Sequence, residues 1–497
     1  MNFLTIEELL ECKKVPEKWN NWHWQMEQRT TCSRISSLVG LGLVSNEQSK
    51  KVSSRLGLTP YNVELLLRLQ KEDVRAYDAE LLQSVLFSGK TDEKHLWVWA
   101  RYAKFDSSGY LGQFPALLRL RNYFMGEGSN TSVQCLENFY PRTDVLIVTA
   151  VCARNCSHCF REVGDSDGEA SGNAGGMRVV LETVQSILNR KTPHVLITGG
   201  DPLTRSNEQL RSILLPLVES DTVQVLRLAT RMVVDLPMRF YDEDLLEMLR
   251  EFADKMRERG ANLYLVTQIN HPCELTSEAL IALSNIKKCD IQILNQTVLL
   301  RGVNDDENIL RDLFLTLDRL NVRSYKLFHP MPVSGTENLR VSIRRFRQLL
   351  ALLHQWIPGT CVPQANVNTM AGKIPVSPSG RWVFLIPFTK FALCRNFQGK
   401  LVFFKDVWDW LRFGRECVTL ALIIAFCINV MSYTPFTEEV ISARSSLHIE
   451  KVAYVDDLYT YVEGYMRLTF QPFVVGNVLY IPYQMSIKEV SETLGII

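Results

Sequence analysis

Cys152, Cys156 and Cys159 lie in the string VCARNCSHCFRE with a C-x3-C-x2-C spacing. Three thiolates on one short loop can ligate three irons of a cubane cluster and leave the fourth iron open. An open iron can chelate the amino and carboxylate groups of S-adenosylmethionine, so that one electron passed to the sulfonium releases a 5'-deoxyadenosyl radical. In such chemistry the protein supplies orientation and electrostatics. The plainer alternatives are three packed thiols or a zinc site. Structural zinc, however, usually takes four ligands in two separated pairs, and no second pair stands nearby. His158 reaches a fourth position only by straining a tight loop.

Downstream, HVLITGGDPL sets Thr198, Gly199, Gly200 and Asp201 at the end of an apolar run. Glycines there allow backbone polar groups to approach a ligand closely, and the amino group of S-adenosylmethionine needs acceptors. A lone GGD is a weak signal, because many strand-ending turns carry one. It gains weight by following the cysteine loop at the distance of one βα unit.

These motifs need a scaffold, and the chain supplies an alternating one. Apolar runs at Val145 to Thr149, Val195 to Thr198, Val223 to Ala229, Leu263 to Thr267, Ile291 to Leu294 and Val322 to Phe328 are separated by amphipathic stretches. The pattern predicts an α/β fold of parallel strands with crossover helices, closed or partly closed into a (β/α)6 barrel. Ligand groups then belong on the loops after the strands, where the cysteines fall. Residues 1–128 read as a helical region in which Trp19, Trp22 and Met26 share one face. The expected division is this helical region, a barrel over 129–345, a segment 346–406 and a C-terminal extension 407–497.

With 497 residues the chain has ample length for a core, and 55 basic against 54 acidic residues give a formal charge of +1. Nothing in that balance calls for nucleic acid or anionic lipid, so a small-molecule substrate is the default. Twelve scattered cysteines do not form a disulfide framework, and the acidic start shows no secretory signal; a cytoplasmic protein is expected. Cys417 to Tyr433 is the longest apolar run, at the short limit for a membrane span, and reads better as a buried helix.

The strings WNNWHWQ, the cysteine loop, ITGGDPL, LATRMVVDLPMRF, QINHPCELT, NQTVLLRGVND and AGKIPV occur in the order found in lysine 2,3-aminomutases. The chain resembles that family from about Trp19 to about Lys400. The resemblance implies a radical S-adenosylmethionine barrel with a [4Fe-4S] cluster and pyridoxal 5'-phosphate. It assigns the pyridoxal phosphate Schiff base to Lys373, the substrate α-carboxylate to Arg161 and the cofactor phosphate to Arg231. Gln268, His271 and Gln296 fall where the family contacts S-adenosylmethionine. The family's glycine run before the lysine is reduced here to Ala371 and Gly372.

Lysine-specific members hold the side-chain ammonium with two aspartates, and an ungapped reading places Met331 and Asn366 at those positions. An ammonium buried without counter-ions loses several kcal/mol, or about a thousandfold in affinity. The implied function is therefore an amino-acid 2,3-aminomutase whose substrate is not lysine. It would be served by a flavodoxin- or ferredoxin-type electron donor and could assemble as a homo-oligomer. The rivals are another hydrogen-abstracting radical enzyme of the same family, a modifier of protein lysines and a non-catalytic iron-sulfur protein.

Overall fold

The computed structural model describes residues 5–52, 56–85, 135–140, 142–159, 176–331, 337–369, 372–379, 383–397, 399, 401–407, 409–432, 474–475 and 478–479. The chain divides into two compact units, residues 1–375 with 395–402, and residues 376–394 with 403–497. The N-terminal helices thus belong to the same unit as the barrel strands.

The first unit is built on a nine-stranded sheet in sequential order: β1 (Leu136–Tyr140), β2 (Thr143–Ile147), β3 (His194–Thr198), β4 (Val225–Ala229), β5 (Asn262–Thr267), β6 (Gln292–Val298), β7 (Val322–His329), β8 (Gln364–Thr369) and β9 (Gly372–Pro375). From β2 to β8 every pairing is parallel, while β1 and β9 are antiparallel edges. No pairing joins β1 to β9 among the described residues, so the barrel is partial. All six runs read as strands from the sequence are strands, because parallel strands covered on both faces are apolar along their length.

Crossover helices Asn207–Val218, Glu243–Glu258, Ser277–Lys287, Glu307–Arg319 and Ile343–Trp356 begin at side-chain caps Ser206, Asp242, Thr276, Asp306 and Ser342. Each cap oxygen accepts a backbone N–H that the first helical turn leaves unsatisfied. The helices bury apolar stripes such as Leu210, Leu214 and Leu217, or Leu249, Phe252 and Met256. Leu226, Leu228, Leu327 and Val367 are buried on the outer, helix-covered face. Side chains of alternate residues face the interior.

Strand register shows which residues share that interior. Arg227 pairs with Tyr264, Gln296 with Lys326, Lys326 with Gln364, Phe328 with Asn366, and Asn368 with Lys373. A bulge on β7 places Tyr325 between Ser324, which pairs with Asn295, and Lys326, which pairs with Gln296. The extra residue reverses the alternation and brings Lys326 to the same face as Gln296.

Two expectations need correction. Trp19 and Trp22 lie on separate short helices, Pro16–Trp19 and Trp22–Glu27, because Asn21 caps a new helix start by accepting from the Trp24 N–H. They are both buried but share no single helical face; Trp22 packs under Arg239, 4.3 Å from its ring centre, and hydrogen-bonds Asp242. In the second unit, helix Trp410–Ser432 carries most of the apolar run, and Val418, Leu420, Leu422, Ile423 and Ile424 are exposed on it, so this stretch of the helix is not buried. Among the described residues no helix is long and apolar enough to cross a membrane.

Candidate active site

The chain leaves β2 into the cysteine loop, and the N-terminal helical region holds that loop in place. The Asn155 N–H donates to the Gly57 carbonyl at 3.0 Å, and the Ser157 N–H to the Gln83 carbonyl at 2.8 Å. Arg29 donates to the Ala153 carbonyl and to the Asn155 side chain. Cys152, Cys156 and Cys159 are each partly buried on this loop. Burial pushes the Cys152 thiol well up, and the charges of Cys159, Asp201 and Cys156 push it further. Burial raises Cys156 to about 11 against the opposing pull of Arg231. Thiols whose ionisation is opposed by burial and by neighbouring thiolates need bound cations to stay ionised.

No three described His, Cys, Asp or Glu side chains close on a point where one metal ion could sit. A single zinc at about 2.3 Å from each sulfur would require that closure. A cubane does not, since each cysteine binds its own iron. His158, between the second and third cysteines, is buried, and its neutral form is favoured by burial and by Arg231 and Arg154. Its Nε2 contacts the Gln268 amide nitrogen at 2.7 Å, and its Nδ1 is buried without a partner. With Nε2 accepting, Nδ1 carries a hydrogen that a bound group at the loop can receive. The residues present fit an iron-sulfur cluster.

The GGD turn also braces this loop, a role that the sequence expectation did not include. A Cβ on Gly199, whose φ is +145°, would lie 2.3 Å from the Thr149 carbonyl oxygen, and one on Gly200 would lie 2.3 Å from that of Val151. The Gly200 and Asp201 N–H groups donate to those same carbonyls at 2.6 and 2.7 Å. The glycines therefore let this turn press against the chain entering the cysteine loop; they do not leave its N–H groups open to a ligand. The Thr198 carbonyl likewise accepts from the Val148 N–H at 2.8 Å. The Asp201 carboxylate accepts from Leu203 N–H, Arg231 N–H and the Thr230 hydroxyl, tying the ends of β3 and β4 together. Burial raises its pKa to about 6 in spite of those bonds.

Arg231 also departs from expectation. Nε donates to the Gln268 carbonyl at 3.1 Å; Nη1 donates to Asp235 at 2.7 Å and to Cys156 Sγ at 3.3 Å; Nη2 donates to Gln83 at 3.2 Å and to Glu274. A guanidinium has five N–H groups, and all five are engaged. None is left for a cofactor phosphate. Around it, Arg154 forms ion pairs with Glu80, Asp235 and Glu274, so three carboxylates and two guanidiniums are enclosed together. His271 caps a short turn by accepting from the Cys273 N–H, while Gln296 lies half-buried on the interior face.

Lys373 sits half-buried on β9, 5.3 Å from the Phe328 ring centre, and burial and Arg227 lower its pKa. Lys326 is lowered to about 8 by burial and by the like charges of Lys373 and Arg227. It donates to Gln364 and lies 4.8 Å from the Tyr325 ring centre. Arg227 is itself lowered by burial, and its Nε is buried without a partner. Both cations escaped the sequence reading, although a charged residue inside each apolar strand run, LRLA and SYKLF, was a visible signal. Met331 is half-buried just after β7. Asn366 is fully buried, with its amide oxygen unpartnered. Arg161 lies outside the described residues.

No protein-family model matches the chain. Among curated proteins it is similar to the glutamate 2,3-aminomutase of Clostridioides difficile, 28% identical over 78% of this chain and 83% of that protein. A putative L-lysine 2,3-aminomutase of Aquifex aeolicus is 29% identical over 80% of this chain and 98% of its own length. The L-lysine 2,3-aminomutase of Clostridium subterminale is 27% identical over 78% and 84%. With cysteine loop, GGD turn and strand-borne lysine on one such barrel, this chain is similar to 2,3-aminomutases along most of its length.

Proposed function

We propose that the protein is a radical S-adenosylmethionine 2,3-aminomutase that acts on an α-amino acid with an acidic or neutral side chain. A [4Fe-4S] cluster with S-adenosylmethionine would supply a hydrogen-abstracting radical, and pyridoxal phosphate the π-system through which an amino group can migrate. The observation that carries the reading is the pairing of a cysteine loop after β2 with a half-buried, pKa-lowered lysine, Lys373, on the interior face of the same sheet. Burial and the Arg227 charge favour the neutral amine, the form that attacks an aldehyde. Cys152, Cys156 and Cys159 would hold the cluster, and the N-terminal contacts fix the loop that carries them.

The substrate reading rests on the side chains near Lys373. Arg227 and Lys326 add two cations to the interior face, and Asn366 adds an amide, while Met331 offers no charge. Such a set favours a carboxylate over an ammonium. One relative is named for glutamate, which agrees with it. Arg161 would hold the α-carboxylate through its bidentate fork.

The test is anaerobic incubation of reconstituted protein with each proteinogenic amino acid. An acidic or neutral amino acid should convert to an isomer of unchanged mass and altered retention, and borohydride should fix a pyridoxyl group on Lys373. Efficient turnover of lysine would remove the substrate reading. A pyridoxyl mass on another lysine, or on none in fully loaded protein, would remove the aminomutase reading.

A further inference from the structure

A buried guanidinium with all five N–H groups engaged is held in one orientation, and one of the five bonds Arg231 makes is to a sulfur. The other four acceptors come from three separate segments: Gln83 from the N-terminal helix Val74–Ser84, Asp235 from the turn after β4, and Gln268 and Glu274 from the chain after β5. Glu274 is in turn fixed by the Asn270 and His271 N–H groups at 2.6 and 2.9 Å, and Gln83 by the Asn270 amide at 2.9 Å. Nothing in this arrangement needs the Cys156 contact to satisfy Arg231's charge, since Asp235 and Glu274 already do so.

We propose that Arg231 is a positioning residue for the iron-sulfur cluster, donating an N–H to the Cys156 thiolate and raising the cluster's reduction potential. The proposal rests on the cluster assigned above to the three cysteines. Hydrogen bonds to ligand sulfur and nearby positive charge favour the more negatively charged, reduced state. One electron enters from an external low-potential donor, and no proton leaves Arg231. Its guanidinium stays charged, held well above the ordinary range by Asp235, Cys156, Glu274 and Glu80 against the effect of burial. The three carboxylates that surround Arg231 and Arg154 have a clear role on this view: they keep a cation fixed beside the sulfur.

Replacing Arg231 alone with a neutral residue leaves buried carboxylates uncompensated and risks the fold. Two variants avoid that: Arg231→Lys, which keeps the charge and loses the fork, and Arg231→Gln combined with Asp235→Asn, which removes one charge of each sign. Iron content, circular dichroism and the midpoint potential from an EPR-monitored redox titration are compared with the parent protein. The double variant, folded and fully loaded, should be reduced about tenfold less favourably, a shift of about 59 mV to more negative potential for a one-electron couple. Arg231→Lys should fall between the two. An unchanged midpoint in a loaded double variant overturns the proposal. So does loss of the cluster from both folded variants, which would make Arg231 a structural support. A parent protein that binds no cluster would instead remove the reading on which this one rests.

Discussion

The two sides of the barrel interior are built on opposite terms. On the cysteine-loop side the buried cations meet carboxylates inside the protein: Arg231 and Arg154 are enclosed by Glu80, Asp235 and Glu274, and Asp201 accepts from three neighbours. On the β7–β9 side, Lys326 lies under the unfavourable charges of Lys373 and Arg227, and polar atoms such as Arg227 Nε and Asn366 Oδ1 are buried without partners. The first side pairs its cations before any ligand arrives and leaves His158 Nδ1 to meet one, as suits a loop that must hold a cluster in one geometry. The second carries desolvation that only a ligand relieves. Rigid support and selective binding are thus separated in space.

The contrast breaks most visibly at the cysteines. Cys156→Ala should reduce iron from about four per chain to near none and abolish the visible absorption of anaerobically prepared protein. The ion network beneath should survive, because Arg231 retains four of its five acceptors. Full iron loading and S-adenosylmethionine cleavage after replacement of all three cysteines would end the comparison.

On the other side, Arg227→Met and Lys326→Met should each lower kcat/KM for an acidic amino acid by about tenfold or more while sparing a neutral one, since the lost term is charge pairing. Arg227→Met has a second consequence. Arg227 pushes the Lys373 pKa down, so removing it lets that pKa rise, and pyridoxal phosphate should then attach to Lys373 only at higher pH. An absorbance titration that does not move, with unchanged preference between acidic and neutral substrates, would show that these cations are not part of the pocket.

How much of this was legible in the sequence follows the same division. Strands buried on both faces announce themselves as apolar runs, and their loops carried the cysteines. β8, QANVNT, was passed over: its interior positions are Gln364, Asn366 and Asn368, polar because they line the site, and Asn-rich polar text reads as loop. Gly199 and Gly200 were singled out for a ligand, and the neighbouring chain at Thr149 and Val151 supplies a packing reason for them that no local pattern reveals. Arg231 drew a phosphate role from family resemblance. Its true neighbours, Gln83, Asp235 and Glu274, are separated by up to 191 residues in the chain, from 83 to 274, and only the fold brings them together.

The smallest expected effect concerns the charge count on the cysteine-loop side. Three carboxylates face two guanidiniums, so one negative charge is in excess, and the network relieves it by taking up a proton. Glu80 shows this: burial raises its pKa to about 7, Arg154 opposes the rise, and Glu274 adds to it. The titration belongs to the coupled network, with Glu80 its reporter. In the unfolded chain the same carboxyl ionises near 4.5, so between about pH 4.5 and 7 the folded state holds a proton that the unfolded state has released. Folding is then favoured at the lower end of that window, and the contribution is lost as pH rises through 7. Glu80→Gln removes the titrating group while leaving an oxygen to accept from Arg154. Without cluster, the parent protein should lose thermal stability between pH 5 and 7.5, and the variant should lose less, by about 2 °C per kcal/mol of linkage removed. Equal slopes for the two proteins would place the proton elsewhere and mean that Glu80 is ionised throughout that range.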